Sequence, residues 1–181
     1  IQGFKKISEQ MNSEDVIDEL DQIFLQFNEI VKKYKIQKIK TIGDAYMCAG
    51  GVPVKNITNP IDVVLAALEM EEYLGDLKIE YEKQNRQFWD LKLGIHTGAV
   101  TSTIRGRKKG SYDLQGDTVN IATRMASASE SGQINISVMT YELVKQYFDC
   151  DYHGKIPVKY MGDMEMYFLR RVKKKYSADR D

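Results

Sequence analysis

Cysteine is scarce in this chain. Cys48 and Cys150 are the only two among 181 residues. They lie far apart and lack metal-ligand spacing, which excludes a disulfide framework and fits a reducing compartment. No charge of one sign dominates: Lys+Arg number 26 against Asp+Glu 26, for a formal net charge of +0. Bulk electrostatics therefore give no case for nucleic-acid binding. Local basic spots remain, and RGRKKG at 105–110 reads first as a solvated loop. No apolar run approaches the roughly 20 residues of a membrane span, and no signal peptide is visible. With three prolines, no internal repeat and no low-complexity segment, no linker stands out either. The first residue is Ile1 rather than Met, so the reading expects a domain from a longer parent, whose other parts would carry any anchor or sensor.

What is present suits a soluble globular domain. Hydrophobic residues make up 43% and charged residues 29%, and the length favours one domain with a sizeable core. Residues 1–172 read as that domain and 173–181 as a polar tail, the stretch RRVKKKYSADRD being expected to fray. Ser13 is a candidate helix N-cap with Glu14 and Asp15 in the first turn. Val16, Leu20, Ile23, Phe24, Phe27, Ile30 and Val31 then recur at helical spacing. Residues 36–42 and 45–50 read as strands joined at Gly43–Asp44. Asn59–Pro60 opens a second helix towards Tyr73. FWDLKLGIHTGAVTSTI reads as strand-rich, 117–129 as a helix, QINIS as a strand and 138–147 as a helix. The segments from Tyr152 and around 164–169 read as a closing hairpin. Helices interleave with directly linked strand pairs, which predicts an antiparallel-rich α+β sandwich rather than a doubly wound parallel sheet.

Three stretches concentrate polar groups, and each has an ordinary explanation. In KIKTIGDAYM, 38–47, Lys40 and Asp44 flank a tight turn. A surface ion pair, Gly-Asp turn chemistry, or two groups each aimed at a ligand would all produce it. In YDLQGDTVNIATRMAS, 112–127, Asn120 and Arg124 lie four apart on one helical face, as a solvent-facing pair also would. In VKYMGDMEMYFL, 158–169, Lys159 sits at the mouth of a hairpin and alone reads as a solvated side chain. His96 and His153 have no metal-like neighbours in sequence and read as structural. Met47, Met125, Met161, Met164 and Met166 read as packing residues.

KIKTIGDAYM, GIHTGAV, YDLQGDTVNIATRMAS and VKYMGDMEMYF together resemble the successive motifs of class III nucleotidyl cyclase catalytic domains, in that family's order and over nearly the whole chain. The resemblance implies a ferredoxin-like α+β core (the class III cyclase homology domain) and a head-to-tail homodimer with shared active sites. It places Lys40 and Asp113 at the two positions that read the purine. For adenine this pairing is chemically apt: an ammonium donates to N1 and a carboxylate accepts from the 6-amino group. Guanine reverses both partners, and mispairing costs roughly 1–3 kcal/mol per group. Guanylyl members are expected to carry an acid and a small thiol or hydroxyl residue there, so the reading is ATP-selective. By the same resemblance Asn120 orients the ribose and Arg124 steadies the α-phosphate, a task suited to a planar guanidinium. Lys159 would contact the terminal phosphates, with Arg107 or Lys108 assisting from the partner subunit.

Asp44 resembles one of two metal-binding aspartates, and two ions per site, Mg²⁺ or Mn²⁺, are expected. The family's other metal aspartate ends its first strand, just before a pattern like I-x-G-F. This chain begins IQGF, so that aspartate would immediately precede Ile1. The first strand is thus expected to be truncated, with the Ile1 carbonyl kept as a ligand and turnover of the fragment expected to be weak. Lys40, Asp113, Asn120, Arg124 and Lys159 would form one half of a site, and Ile1 and Asp44 the other. The expected reaction converts ATP to 3′,5′-cyclic AMP and pyrophosphate. The expected setting is a cytoplasmic catalytic domain with a regulatory or sensor domain, and membrane attachment where present, elsewhere in the parent. The rivals are a guanylyl cyclase and a catalytically weak nucleotide-binding signalling domain. An RNA-binding ferredoxin-like module would want strand aromatics and positive charge that are missing here.

Overall fold

The computed structural model describes residues 13–86, 88, 91–104 and 112–177. The chain forms two compact units, one drawn from Ile1–Leu91 and Ser102–Leu114, the other from Lys92–Thr101 and Gln115–Asp181. Among the described residues no helix is long and apolar enough to cross a membrane.

In the first unit, helix α1 runs from Ser13 to Lys33. Its predicted apolar stripe, from Val16 to Val31, is buried throughout; each such side chain contributes about 1.5–3 kcal/mol of transfer free energy before entropy. Strands β1 (Gln37–Ile42) and β2 (Ala45–Ala49) form the expected antiparallel hairpin. Gly43 takes φ +55° at its turn, where a side chain would be strained. Tyr46 of β2 packs its ring between Phe24 and Phe27 at 5.4 and 5.5 Å and donates its hydroxyl to Asn28 Oδ1 at 2.9 Å. Helix α2 runs from Asn59 to Lys83, well beyond Tyr73. It is tied to α1 through Glu69, which accepts from Lys33 Nζ at 2.6 Å and from the Tyr34 hydroxyl at 2.7 Å.

The second unit is built on a four-stranded sheet. Strand β3 covers Leu93–Ile95, and β4 (Thr101–Ile104) and β5 (Tyr112–Gln115) form a separate two-stranded ladder whose residues 102–104 and 112–114 belong to the first unit. Helix α3 spans Asp117–Ala128, β6 Ile134–Ser137 and α4 Val138–Val144. Strands β7 (Phe148–Val158) and β8 (Gly162–Val172) make the closing hairpin. The sheet order is β3-β6-β8-β7, with β3 parallel to β6 and the other pairs antiparallel. The α+β class and the antiparallel bias are as expected.

Four local expectations need correction. The strand-rich block breaks into the short β3 and β4, because residues 96–100 loop past the start of α3: a Cβ at Gly98 would lie 2.5 Å from Thr118 Oγ1. Helix α4 ends at Val144, where the Tyr147 amide turns to Val144 O at 2.8 Å and the chain enters β7. The tail does not fray from Arg170. Strand β8 continues to Val172, a 3₁₀ turn follows at Lys174–Tyr176, and the Tyr176 ring rests 5.1 Å from that of Tyr147. Met161 is not a packing residue but 55% exposed in the β7–β8 turn, whereas Met125, Met164 and Met166 are buried.

Helix α3 and β3 touch backbone to backbone. A Cβ on Gly94 would stand 2.0 Å from the amide nitrogen of Ala126 and 2.5 Å from its Cα. Around this contact Ile121 and Met125 join Val158, Met164 and Met166 in one buried cluster. Gly94→Ala must push α3 off the sheet, a small-to-large change expected to cost about 1–3 kcal/mol. Gly75→Ala, in α2 with nothing within 4 Å of the added Cβ, should stabilise by about 0.5–1 kcal/mol. Urea unfolding of the two variants checks both signs.

Candidate active site

The KIKTIGDAYM stretch is the β1–β2 hairpin, and its register is not regular. Lys38 pairs with Cys48 and Lys40 with Met47, so Ile39 is an extra residue in β1. Strict alternation would put Lys38 and Lys40 on one face, and the bulge changes the phase between them. Lys38 Nζ lies 5.3 Å from the centre of the Tyr46 ring. Lys40 Nζ instead donates to Asp113 Oδ1 at 2.7 Å.

Asp113 is on β5 and is 6% exposed. Its Oδ1 also accepts from the Leu114 amide at 3.0 Å, so the carboxylate is fixed by its own strand as well as by the lysine. The Lys40 side chain keeps 28% of its surface in solvent. A donor and an acceptor thus stand side by side in the first unit. Lys40 therefore pairs with Asp113 across the unit's two hairpins. Asp44 occupies the half-exposed turn after Gly43.

Asn120, Arg124 and Lys159 belong to the second unit. Asn120 and Arg124 are exposed on α3, one turn apart, on a stripe about 100° round the helix from the buried Ile121 and Met125. Gly116, at φ +123°, redirects the chain into the helix. Thr118 Oγ1 donates to Ala99 O at 2.6 Å, pinning the first turn of the helix to the GIHTGAV segment. His96 in that segment shares a hydrogen bond with Ser137 Oγ at 2.7 Å, and burial lowers its pKa, so it is a neutral structural group as expected. Lys159 is exposed in the β7–β8 turn, its Nζ 4.8 Å from the centre of the Tyr160 ring. Ile1, Arg107 and Lys108 lie outside the described residues.

For a divalent cation, Asp44 offers the right kind of donor, a carboxylate oxygen. Among the described residues no group of three or more His, Cys, Asp or Glu side chains is placed to hold a metal. The donor set they supply therefore fits a hard cation in kind but falls short in number.

Sequence reasoning passed over Asn135 and read His153 only as a structural group. Asn135 is fully buried on β6 and bonds to α3, while His153 is inserted at a bulge in β7. The readable signal was an amide between two isoleucines in QINIS, a polar group in a strand otherwise suited to burial on both faces.

Known proteins resemble this chain in sequence and fold. The family described as Adenylate and Guanylate cyclase catalytic domain matches residues 1–171. Guanylate cyclase 32E of Drosophila melanogaster is 33% identical over 174 residues, covering 94% of this chain and 15% of its own length. Guanylyl cyclase C of Homo sapiens is 33% identical over 177 residues, covering 96% of this chain and 16% of its own. The chain therefore spans only about a sixth of these relatives. Among solved structures, the guanylate cyclase domain of RhGC from Catenaria anguillulae in complex with GTP superposes with TM-score 0.82 at 30% identity, covering 96% of this chain and 93% of that one. The adenylyl cyclase CyaB from P. aeruginosa superposes with TM-score 0.84 at 28% identity, covering 99% and 91%. With its motifs on the hairpin, the α3 face and the β7–β8 turn, and a match over residues 1–171, the chain belongs to the family of adenylate and guanylate cyclase catalytic domains.

Proposed function

We propose that this cyclase domain takes ATP and forms 3′,5′-cyclic AMP. The observation that carries the base preference is the Lys40–Asp113 pair, an ammonium and a carboxylate 2.7 Å apart. Adenine presents an acceptor, N1, beside a donor, its 6-amino group, and the pair offers the complement in matching order. Guanine would meet Asp113 with O6 and Lys40 with N1–H. A specific observation favours that second reading: the relatives named above are guanylate cyclases. On those names alone GTP is the better-supported substrate; on the chemistry of the pair ATP is.

In the reaction the ribose 3′-oxygen attacks the α-phosphorus, the bond from that phosphorus to the bridging oxygen breaks, and pyrophosphate leaves. Asn120 would hold the ribose, and its amide can both donate and accept. Arg124 would meet the charge that builds on the α-phosphate during attack, where a preorganised donor lowers the barrier most. Lys159, exposed on the β7–β8 turn, would neutralise the terminal phosphates. Two divalent cations, Mg²⁺ or Mn²⁺, would supply charge neutralisation and activation of the 3′-hydroxyl, with Asp44 and the Ile1 carbonyl among their ligands. We infer that two copies share each site, Ile1 and Asp44 serving the nucleotide otherwise held by the partner's residues. We further infer a cytoplasmic setting, with the regulatory or sensor domain in the rest of the parent.

Three outcomes are expected in the parent chain. Lys40→Glu combined with Asp113→Cys should shift the ATP-to-GTP ratio of kcat/KM towards GTP by roughly tenfold or more. A wild-type chain that already prefers GTP overturns the adenine reading. Arg124→Ala should lower kcat about 100- to 1000-fold with little change in KM. Equal losses in kcat and substrate affinity would assign Arg124 to ground-state binding instead. Specific activity should fall on dilution through the dimer dissociation range, and constant activity from a demonstrated monomer removes the shared site.

A further inference from the structure

Behind the exposed face of α3 lies a buried polar connection that leads to Arg124. Asn135 on β6 is fully buried. Its Nδ2 donates to the carbonyl oxygen of Met125 at 2.9 Å, with Met166 Sδ 3.2 Å away. The last turn of any helix leaves carbonyls without an intrahelical donor. Met125 O is such a group, because the Ser129 amide that would close onto it turns to Ala126 O at 3.2 Å. Asn135 therefore caps α3 from a neighbouring strand, one residue from Arg124. Gly94 presses on the same turn from β3.

The orientation of that amide is itself determined. A carbonyl only accepts, so Asn135 must turn its NH₂ group to Met125 and its Oδ1 away. Oδ1 then faces His153 Nδ1 at 3.2 Å, and since Oδ1 only accepts, Nδ1 carries the proton. His153 reaches this place through a bulge: Tyr152 pairs with Tyr167 and Gly154 with Met166, so His153 is the extra residue of β7, followed by Gly154 at φ +130°. A bulge re-aims a strand side chain. The ring is stacked on Phe168 at 3.8 Å, and Nε2 lies 3.9 Å from a Glu130 carboxylate oxygen.

We propose that Asn135, oriented by His153, is a positioning residue for catalysis: it fixes the last turn of α3 so that the guanidinium of Arg124 is presented at one height and angle. A rigid-body shift of that turn moves Arg124 while leaving its charge and exposure intact. Such a shift reduces transition-state stabilisation more than substrate affinity. This inference rests on the role proposed for Arg124, and the experiment separates the two.

The test is steady-state kinetics of the parent chain with ATP and with GTP, accompanied by thermal unfolding. Asn135→Leu keeps the volume and removes the donor; kcat is expected to fall on the order of tenfold, with KM near wild type. His153→Leu should produce a smaller fall of the same kind, and His153→Gln, whose amide can still donate to Oδ1, should restore kcat. In an Arg124→Ala background, Asn135→Leu should change kcat by less than about twofold, because two steps acting through one group do not add. Wild-type kcat in both leucine variants overturns the proposal, as does an equal fold-loss with and without Arg124. If Asn135→Leu does not fold, the same comparison with His153→Leu and His153→Gln decides. A wild-type parent without cyclase turnover defeats the role of Arg124 and this inference with it. Turnover that is indifferent to both substitutions defeats the positioning alone.

Discussion

A helix can hold ionic side chains at a fixed point only if its own backbone is held, and in the second unit that is done by contact without side chains. At Gly94 the strand and helix α3 meet closely enough that even a methyl group would collide with the Ala126 backbone. Close-packed interiors transmit such displacements rather than absorbing them. Every feature of α3 depends on this seating. Ile121 and Met125 point into the core, which leaves Asn120 and Arg124 on the outer face. The Thr118 bond to Ala99 O fixes one end of the helix, and the Asn135 bond to Met125 O the other. One end is thus tied to the loop after β3 and the other to β6.

The first unit solves a related problem with charge. A carboxylate as buried as Asp113 is costly unless it is paired and hydrogen-bonded, and it has both a lysine and its own strand's amide. That pairing requires Lys40 to leave the face it would share with Lys38, which the extra residue at Ile39 accomplishes. In each unit, then, an irregularity in a strand sends one polar side chain where regular alternation would not: Lys40 in β1 and His153 in β7.

The regular parts of the fold were readable because they follow periodicity. The stripe from Val16 to Val31 predicted a helix and its buried face, and each of those residues is buried. Gly43–Asp44 and Asn59–Pro60 marked a hairpin and a helix start through turn and capping chemistry. The motif residues were found by resemblance; spacing alone left Asn120 and Arg124 as an ordinary surface pair. What was missed is long-range. Neither bulge has a local signature, since an extra residue is defined by its partner strand. The end of α4 and the ordered tail depend on one tertiary contact region, Tyr147 with Lys173 and Tyr176. A segment as polar as RRVKKKYS orders because a neighbouring strand end supplies partners, which composition does not record.

Base preference poses the sharpest contrast between whole-chain likeness and local chemistry. A guanylate cyclase domain bound to GTP and an adenylyl cyclase superpose on this chain with TM-scores of 0.82 and 0.84, at 30% and 28% identity. Likeness on that scale averages over nearly every residue, whereas a purine edge touches few. Mispairing one buried donor or acceptor costs roughly 1–3 kcal/mol, and each 1.4 kcal/mol is about a factor of ten in selectivity. Two side chains are therefore enough to reverse a preference without altering the fold or visibly changing overall identity. Relatives named for one nucleotide are then compatible with a chain suited to the other. The Lys40 ammonium and the Asp113 carboxylate, 2.7 Å apart within one unit, stand close enough for a single purine edge to meet both.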